Sequence, residues 1–174
     1  MTIRKILTEP DPFLRQKSKK VEQVNDEIRT LMDDMLETMY NAPGIGLAAI
    51  QVGEPKRVIV IDLSREDEKK NPLYFVNPEL IINSDNNAAY EEGCLSVPGQ
   101  FAEISRPDKC KVKYLDYNGN EKILDAEGLL ATCIQHEMDH LEGILFIDYL
   151  SKLKKNMIVK KLSKQKKNLE RIVV

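Results

Sequence analysis

The 174-residue chain predicts an α+β fold, with mainly antiparallel sheets packed around a central metal-binding helix and a C-terminal helix beyond it. Two observations carry that expectation. Strand-like segments precede a late helix with no alternation of strand and helix, so parallel βαβ units are not expected. Within that block, alternating segments flank Asn118-Gly119, the signature of a hairpin and so of antiparallel pairing.

Each element can be justified in chain order. Asn25 can cap a helix whose first turn carries Asp26 and Glu27. Ile28, Leu31, Met32, Met35, Leu36 and Met39 then recur at helical spacing until Pro43-Gly44 ends it. Repeats at i, i+3 and i+4 make the methionines core residues rather than ligands. Next, Gly44-Ile45-Gly46-Leu47-Ala48-Ala49-Ile50-Gln51 contains G-x-G-x-x-A, with Asp62 downstream. A dinucleotide-binding turn needs a strand before it, and here a helix precedes. The segment reads instead as small residues that let backbone line a cleft, with Gln51 as its only polar side chain.

Arg57 to Leu63 is a β-branched strand and Ser64 to Asn71 a charged loop. Leu73 to Val76 begins another strand, which Pro78 is expected to interrupt. Lys111 to Tyr117 and Glu121 to Leu124 form the hairpin, whose second strand feeds a helix at about Glu127. Gly143 sits where a left-handed cap would end that helix. Leu153, Met157, Leu162 and Leu169 pattern the terminal one.

At this length, with 42% hydrophobic residues, one domain is expected over 1–174, with 152–174 as its basic C-terminal helix. No apolar run approaches the ~20 residues of a membrane span. The N-terminal region, with Arg4, Lys5, Glu9 and Asp11, lacks the apolar core of a secretory signal, so a cytoplasmic protein without a membrane partner is expected. Three irregularly spaced cysteines suit thiolate chemistry better than a disulfide framework. The net charge of −2 conceals an asymmetry. Residues 152–171 hold nine Lys or Arg and one acid, a net +8, against 17 basic and 27 acidic residues elsewhere, a net −10. Such a tail suits a polyanion, although a lysine-rich amphipathic helix is more often a solvated face.

His136-Glu137-Met138-Asp139-His140 holds the only two histidines. Positions i and i+4 share a helix face, so both imidazoles can reach one ion and Glu137 a water bound to it. The surrounding Leu129, Leu130, Ala131, Cys133, Ile134, Met138 and Leu141 imply burial, and buried polar groups need partners. Catalytic sites usually take three protein ligands and leave a position open. Cys133 lies one turn before His136, but an ion held between 136 and 140 sits roughly 7.5 Å further along the axis, too far for a cysteine. Cys94, in Glu91-Glu92-Gly93-Cys94-Leu95-Ser96-Val97-Pro98, is favoured because Gly93 permits close backbone approach; spacing leaves Cys110 open. A zinc endopeptidase would use the same helix, normally with His or Glu as third ligand, and a structural zinc site would be closed by a fourth ligand.

Together, G-I-G-L-A-A-I-Q at 44–51, E-G-C-L-S at 92–96 and Q-H-E-M-D-H-L-E-G at 135–143 resemble the three signature motifs of the peptide deformylases, and the likeness extends over the whole chain. The resemblance implies a bacterial or organellar metallohydrolase that removes the N-formyl group from the starting methionine of new polypeptides, releasing formate. It implies Cys94, His136 and His140 as metal ligands, Fe(II) as the physiological ion, and Zn(II), Ni(II) or Co(II) as substitutes.

A bound ion of this kind draws the pKa of its water toward about 7. Glu137 would take that water's proton and return it to the departing amine. On the family's pattern, the metal, the Gln51 side-chain amide and the Leu95 backbone N–H would receive charge developing on the formyl oxygen. Formyl selectivity would be steric. The substrate is expected to lie extended along Ile45, Gly46 and Gly93, with its methionine among Ile45, Tyr90, Leu129, Cys133 and the His136 ring. Thr132 is small and polar where the family suggests an aliphatic residue, and Phe101 is bulkier than expected. Glu92 and Arg106 are expected to pair, either stiffening the cleft or at the surface. The implied partners are N-formyl-Met nascent peptides and, through the basic tail, a weak ribosome contact; no specific DNA is expected.

Overall fold

The computed structural model describes residues 1–172. The last two residues of the expected 152–174 helix therefore lie outside the described residues. Asn25 accepts a hydrogen bond from the Ile28 N–H at 3.1 Å and starts α1 (Asp26–Asn41). Its stripe of Ile28, Leu31, Met32, Met35 and Met39 is buried. At about 1.5–3 kcal/mol per fully buried side chain, that face rather than helix propensity holds the helix. The chain continues through β1 (Gly46–Ala48), a 3-10 turn at Ala49–Val52 and β2 (Val58–Ile61).

β3 (Leu73–Asn83) corrects one expectation, because the strand does not stop at Pro78. Val76 pairs with Leu115 and Glu79 with Lys113, and a bulge between them absorbs Asn77 and Pro78. Asn77 takes a positive φ of 51°, and its side-chain amide both donates to and accepts from the Val21 backbone at 2.8 Å. β4 (Asn87–Cys94) and β5 (Val97–Pro107) form a two-stranded antiparallel ribbon that the sequence reading did not foresee.

β6 (Lys109–Leu115) and β7 (Glu121–Glu127) are the expected hairpin, with the connecting turn pinned by Asp116, which accepts from the Asn118 and Asn120 N–H groups. α2 (Gly128–Leu141) follows at once, and Gly143 ends it with φ 75° against the Arg15 carbonyl, where a Cβ would not fit. α3 (Lys152–Ile172) closes the chain.

The fold is α+β and antiparallel, as the segment order predicts. The main sheet runs β1-β2-β3-β6-β7. Alternate residues of β2 face opposite sides: Val58 and Val60 join the α1 core, while Ile59 and Ile61 join Phe75, Val112 and Ile134 around α2. A third core, with Val97, Ile104, Phe146 and Leu162, ties the ribbon to the 3-10 turn Phe146–Tyr149 and to α3.

The terminal helix forms where expected but buries a different face. Leu162 is buried and Ile158 and Val159 pack beside it, whereas Leu153, Met157 and Leu169 are 72%, 64% and 66% exposed. α3 meets the body through Ile158, Val159 and Leu162 and through the ion pair of Lys155 with Asp148, and these contacts select the stripe. No described helix is long and apolar enough to cross a membrane.

Candidate active site

Three segments distant in sequence converge at α2. The 3-10 turn after β1 carries Gln51, oriented from both ends of its amide: Oε1 accepts from the Ala48 N–H at 2.8 Å, and Nε2 donates to Ser96 Oγ at 3.0 Å. The same Nε2 faces Cys94 Sγ at 3.6 Å, and the Ser96 N–H points at that sulfur from 3.4 Å. Cys94 stands at the tip of the β4–β5 ribbon, where it pairs with Val97. α2 presents His136 and His140 one turn apart, with ring centroids 5.2 Å from each other.

The Cys94 sulfur and one nitrogen of each histidine lie within 4.8 Å of one another, with Sγ 3.3 Å from His140 Nε2. Sulfur and nitrogen donors on one tetrahedral ion stand about 3.6 Å apart, so a transition-metal ion fits this set. Cys110 is not part of it. It is buried in the sheet core, and burial pushes its thiol up to about 11. Cys133 points at the Ile45 carbonyl instead, at 4.0 Å, and burial also raises its thiol.

Behind His136 lies a buried ionic network. Glu92 Oε2 accepts from His136 Nδ1 at 2.8 Å, and both Glu92 oxygens accept from Arg106, at 2.6 and 3.0 Å. Burial pushes the Glu92 carboxyl up, but the hydrogen bonds from His136 and Arg106 outweigh it and hold the group below the ordinary range. An ionised Glu92 can only accept, so Nδ1 carries the proton and Nε2 keeps its lone pair for the metal side. Arg106 also donates to Asp139 at 2.8 Å and lies 4.9 Å over the Tyr149 ring, whose hydroxyl donates to Asp139 at 2.7 Å. The expected Glu92–Arg106 pair is thus a buried one.

Glu137 is 4% exposed, its Oε2 has no hydrogen-bond partner, and burial pushes its carboxyl up to about 7. Gly46 is what lets the backbone pass so near: a Cβ there would stand 2.5 Å from Glu137 Oε1.

A family model described as polypeptide deformylase matches residues 3–156. The chain belongs to that family. The peptide deformylase of Pelagibacter ubique is 68% identical over 174 residues, covering all of both chains. The crystal structure of the peptide deformylase from Ehrlichia chaffeensis superposes with a TM-score of 0.91 at 44% identity, covering 96% of this chain and 98% of that one. The Ehrlichia chaffeensis enzyme in complex with actinonin gives a TM-score of 0.91 at 46% identity, over 95% and 98%. Membership makes the chain a metal-binding hydrolase that removes the N-formyl group from formyl-methionine at the start of new polypeptides.

The deformylase cleft has a volume of about 440 Å³. Ile45, Gly46, Tyr90, Gly93, Leu129 and Cys133 all line it, together with Gln51, Cys94, Leu95, His136 and Glu137. His140 and Arg106 are set behind the wall, 1% and 4% exposed. Phe101 stands on the rim, 65% exposed, its ring so close over Gly93 that a Cβ there would meet Cε1 at 2.6 Å. The sequence assigns no role to Ser96, Asp139 or Tyr149. Ser96 and Asp139 lie inside the recognised motifs, while nothing near Tyr149 marks it.

Proposed function

We propose that Glu137, Gln51 and the Leu95 backbone N–H carry out deformylation in this chain, on a metal held by Cys94, His136 and His140. The buried, unpartnered Glu137 oxygen beside the converging donors supports this reading most directly. When bound, the ion supplies Lewis acidity and lowers the pKa of a coordinated water to about 7.

Glu137 accepts a proton from the attacking water and then releases it to the departing amine nitrogen, a transfer that its buried, unpartnered oxygen is free to make. Gln51, held from both ends, keeps Nε2 aimed into the cleft beside the sulfur without reorganising during the reaction. Together with the Leu95 N–H it receives the charge that grows on the formyl oxygen. The substrate backbone lies extended beside Ile45, Gly46 and Gly93, and its methionine side chain enters between Ile45, Tyr90, Leu129 and Cys133.

A thiolate with two imidazoles suits Fe(II), which we take as the working ion, and equally Zn(II), Ni(II) or Co(II) as substitutes. We read 1–174 as one cytoplasmic catalytic domain, because the cores on either face of the sheet both include β2, and the third joins the ribbon to α3. Its exposed basic helix offers ribosomal RNA a weak contact while nascent chains emerge. The test is formate release from a formyl-Met peptide after anaerobic reconstitution with Fe(II) and, separately, with zinc. Metal bound at one equivalent without formate release in either form would overturn the assignment of roles.

A further inference from the structure

The side of α2 that borders the cleft is a stripe of Leu129, Thr132, Cys133, His136 and Glu137. Leu129 lies at the rim, 45% exposed, whereas Thr132 is 4% exposed and its hydroxyl oxygen has no hydrogen-bond partner. Helical Ser and Thr can return their hydroxyl to the carbonyl four residues back. This chain does so elsewhere: Thr38 Oγ1 donates to the Asp34 carbonyl at 2.6 Å, and Ser163 Oγ to the Val159 carbonyl at 2.8 Å. Thr132 makes no such bond. The oxygen is shielded where it stands, but no hydrogen bond holds it there, and because threonine populates two χ1 wells in a helix, a turn about χ1 would bring the hydroxyl to the cleft wall that the residue lines. A buried donor without a partner is a standing cost that an acceptor on a ligand relieves.

Resting on the assignment of this pocket to the substrate's first side chain, we propose that Thr132 is a specificity-determining residue whose hydroxyl donates to the heteroatom of that side chain. In methionine the sole acceptor is the thioether sulfur, a weak one. Norleucine has nearly the same shape but places a methylene there, with nothing to accept. Methionine sulfoxide places a strong acceptor there, and a wholly aliphatic pocket would desolvate that oxygen without compensation. The Thr132 hydroxyl sets the order in which the three are processed. Tyr90, the other hydroxyl-bearing residue on the cleft, has its oxygen near Gly128, at the outer end of α2.

The experiment compares kcat/KM of the metal-loaded full chain for three formyl peptides identical except for a first residue of methionine, norleucine or methionine sulfoxide. Wild type should prefer methionine over norleucine by about threefold to tenfold, the range of one neutral hydrogen bond. Thr132→Val, isosteric but without the donor, should bring that ratio near one and reduce the sulfoxide relative to methionine by about tenfold. Thr132→Ser should keep both ratios. Unchanged ratios in the valine protein overturn the proposal, and so does a wild-type methionine-to-norleucine ratio near one, whether or not the valine protein folds. A wild-type chain inactive on every formyl peptide would instead sink the reading beneath it.

Discussion

Gly46→Ala tests whether the placement of Glu137 governs the rate. The new methyl carbon would stand 2.5 Å from Glu137 Oε1 and 3.0 Å from both its Cδ and Cys133 Sγ, where ordinary contact begins at 3.4 Å. The carboxylate must therefore retreat by about 0.9 Å. It is 4% exposed and borders the cleft, so the open side into which it can retreat is the space where it must meet the substrate. A displacement near 1 Å costs about 10²-fold in a positioned reaction, close to the lower bound of ~10² to 10⁴ for losing a general base outright. The three atoms nearest the new methyl belong to Glu137 and Cys133 rather than to Cys94, His136 or His140, so metal content and thermal midpoint should stay near wild type. The loss should fall on kcat. A change confined to KM would point to lost pairing between substrate and the Gly46 backbone instead. The assay is steady-state hydrolysis of a formyl-Met peptide, with metal analysis on the same sample. Retention of more than about a tenth of wild-type kcat at full metal occupancy, against the ~10²-fold loss expected, would refute the reasoning.

Glu137→Gln should keep the metal and lose at least ~10²-fold in turnover, since it preserves shape and removes the base; a fully metallated variant slowed less than tenfold would contradict this. Cys94→Ala should lose the ion, whereas Cys110→Ala and Cys133→Ala should retain it. Cys110, with its thiol pushed up to about 11, should stay inert to thiol reagents at neutral pH in the folded protein, and metal loss from either of those two variants would reassign the ligand. Arg106→Leu strands Glu92, whose side chain is 5% exposed, and should lower unfolding stability by about 3–5 kcal/mol in denaturant titration; an unshifted midpoint would mean the pair is not buried in solution. Reversing charge at Lys160, Lys161, Lys164 and Lys167, all exposed, should abolish cosedimentation with ribosomes at low salt while leaving formyl-Met hydrolysis intact. Equal cosedimentation would make the helix a solvated face.

The elements legible in the sequence are those whose signals are local. α1 has its cap, its acidic first turn and its stripe within the helix itself, and α2 presents His136 and His140 on one face because i and i+4 must share it. The strand through Pro78 was misread because the bulge that tolerates it depends on Val21, far away in sequence. Likewise, nothing within α3 says which of its apolar stripes the body will cover.

The β4–β5 ribbon was missed for a different reason, and it is the one that matters chemically. Its burial alternates as a half-buried ribbon should, yet two inward positions hold Glu92 and Arg106, 6% and 4% exposed, while Glu91 and Glu103 face each other outside. With charge on both faces the segment carries no binary pattern to read. Buried charges survive only when paired, and here one end of the pair is the acceptor for His136 Nδ1. An apolar residue in place of Glu92 would have made the strand plain from sequence, and would have left the His136 ring free to turn and exchange its tautomer. The feature that hides the ribbon is the one that fixes the His136 ring, and sequence-to-structure rules are expected to fail at such functional positions.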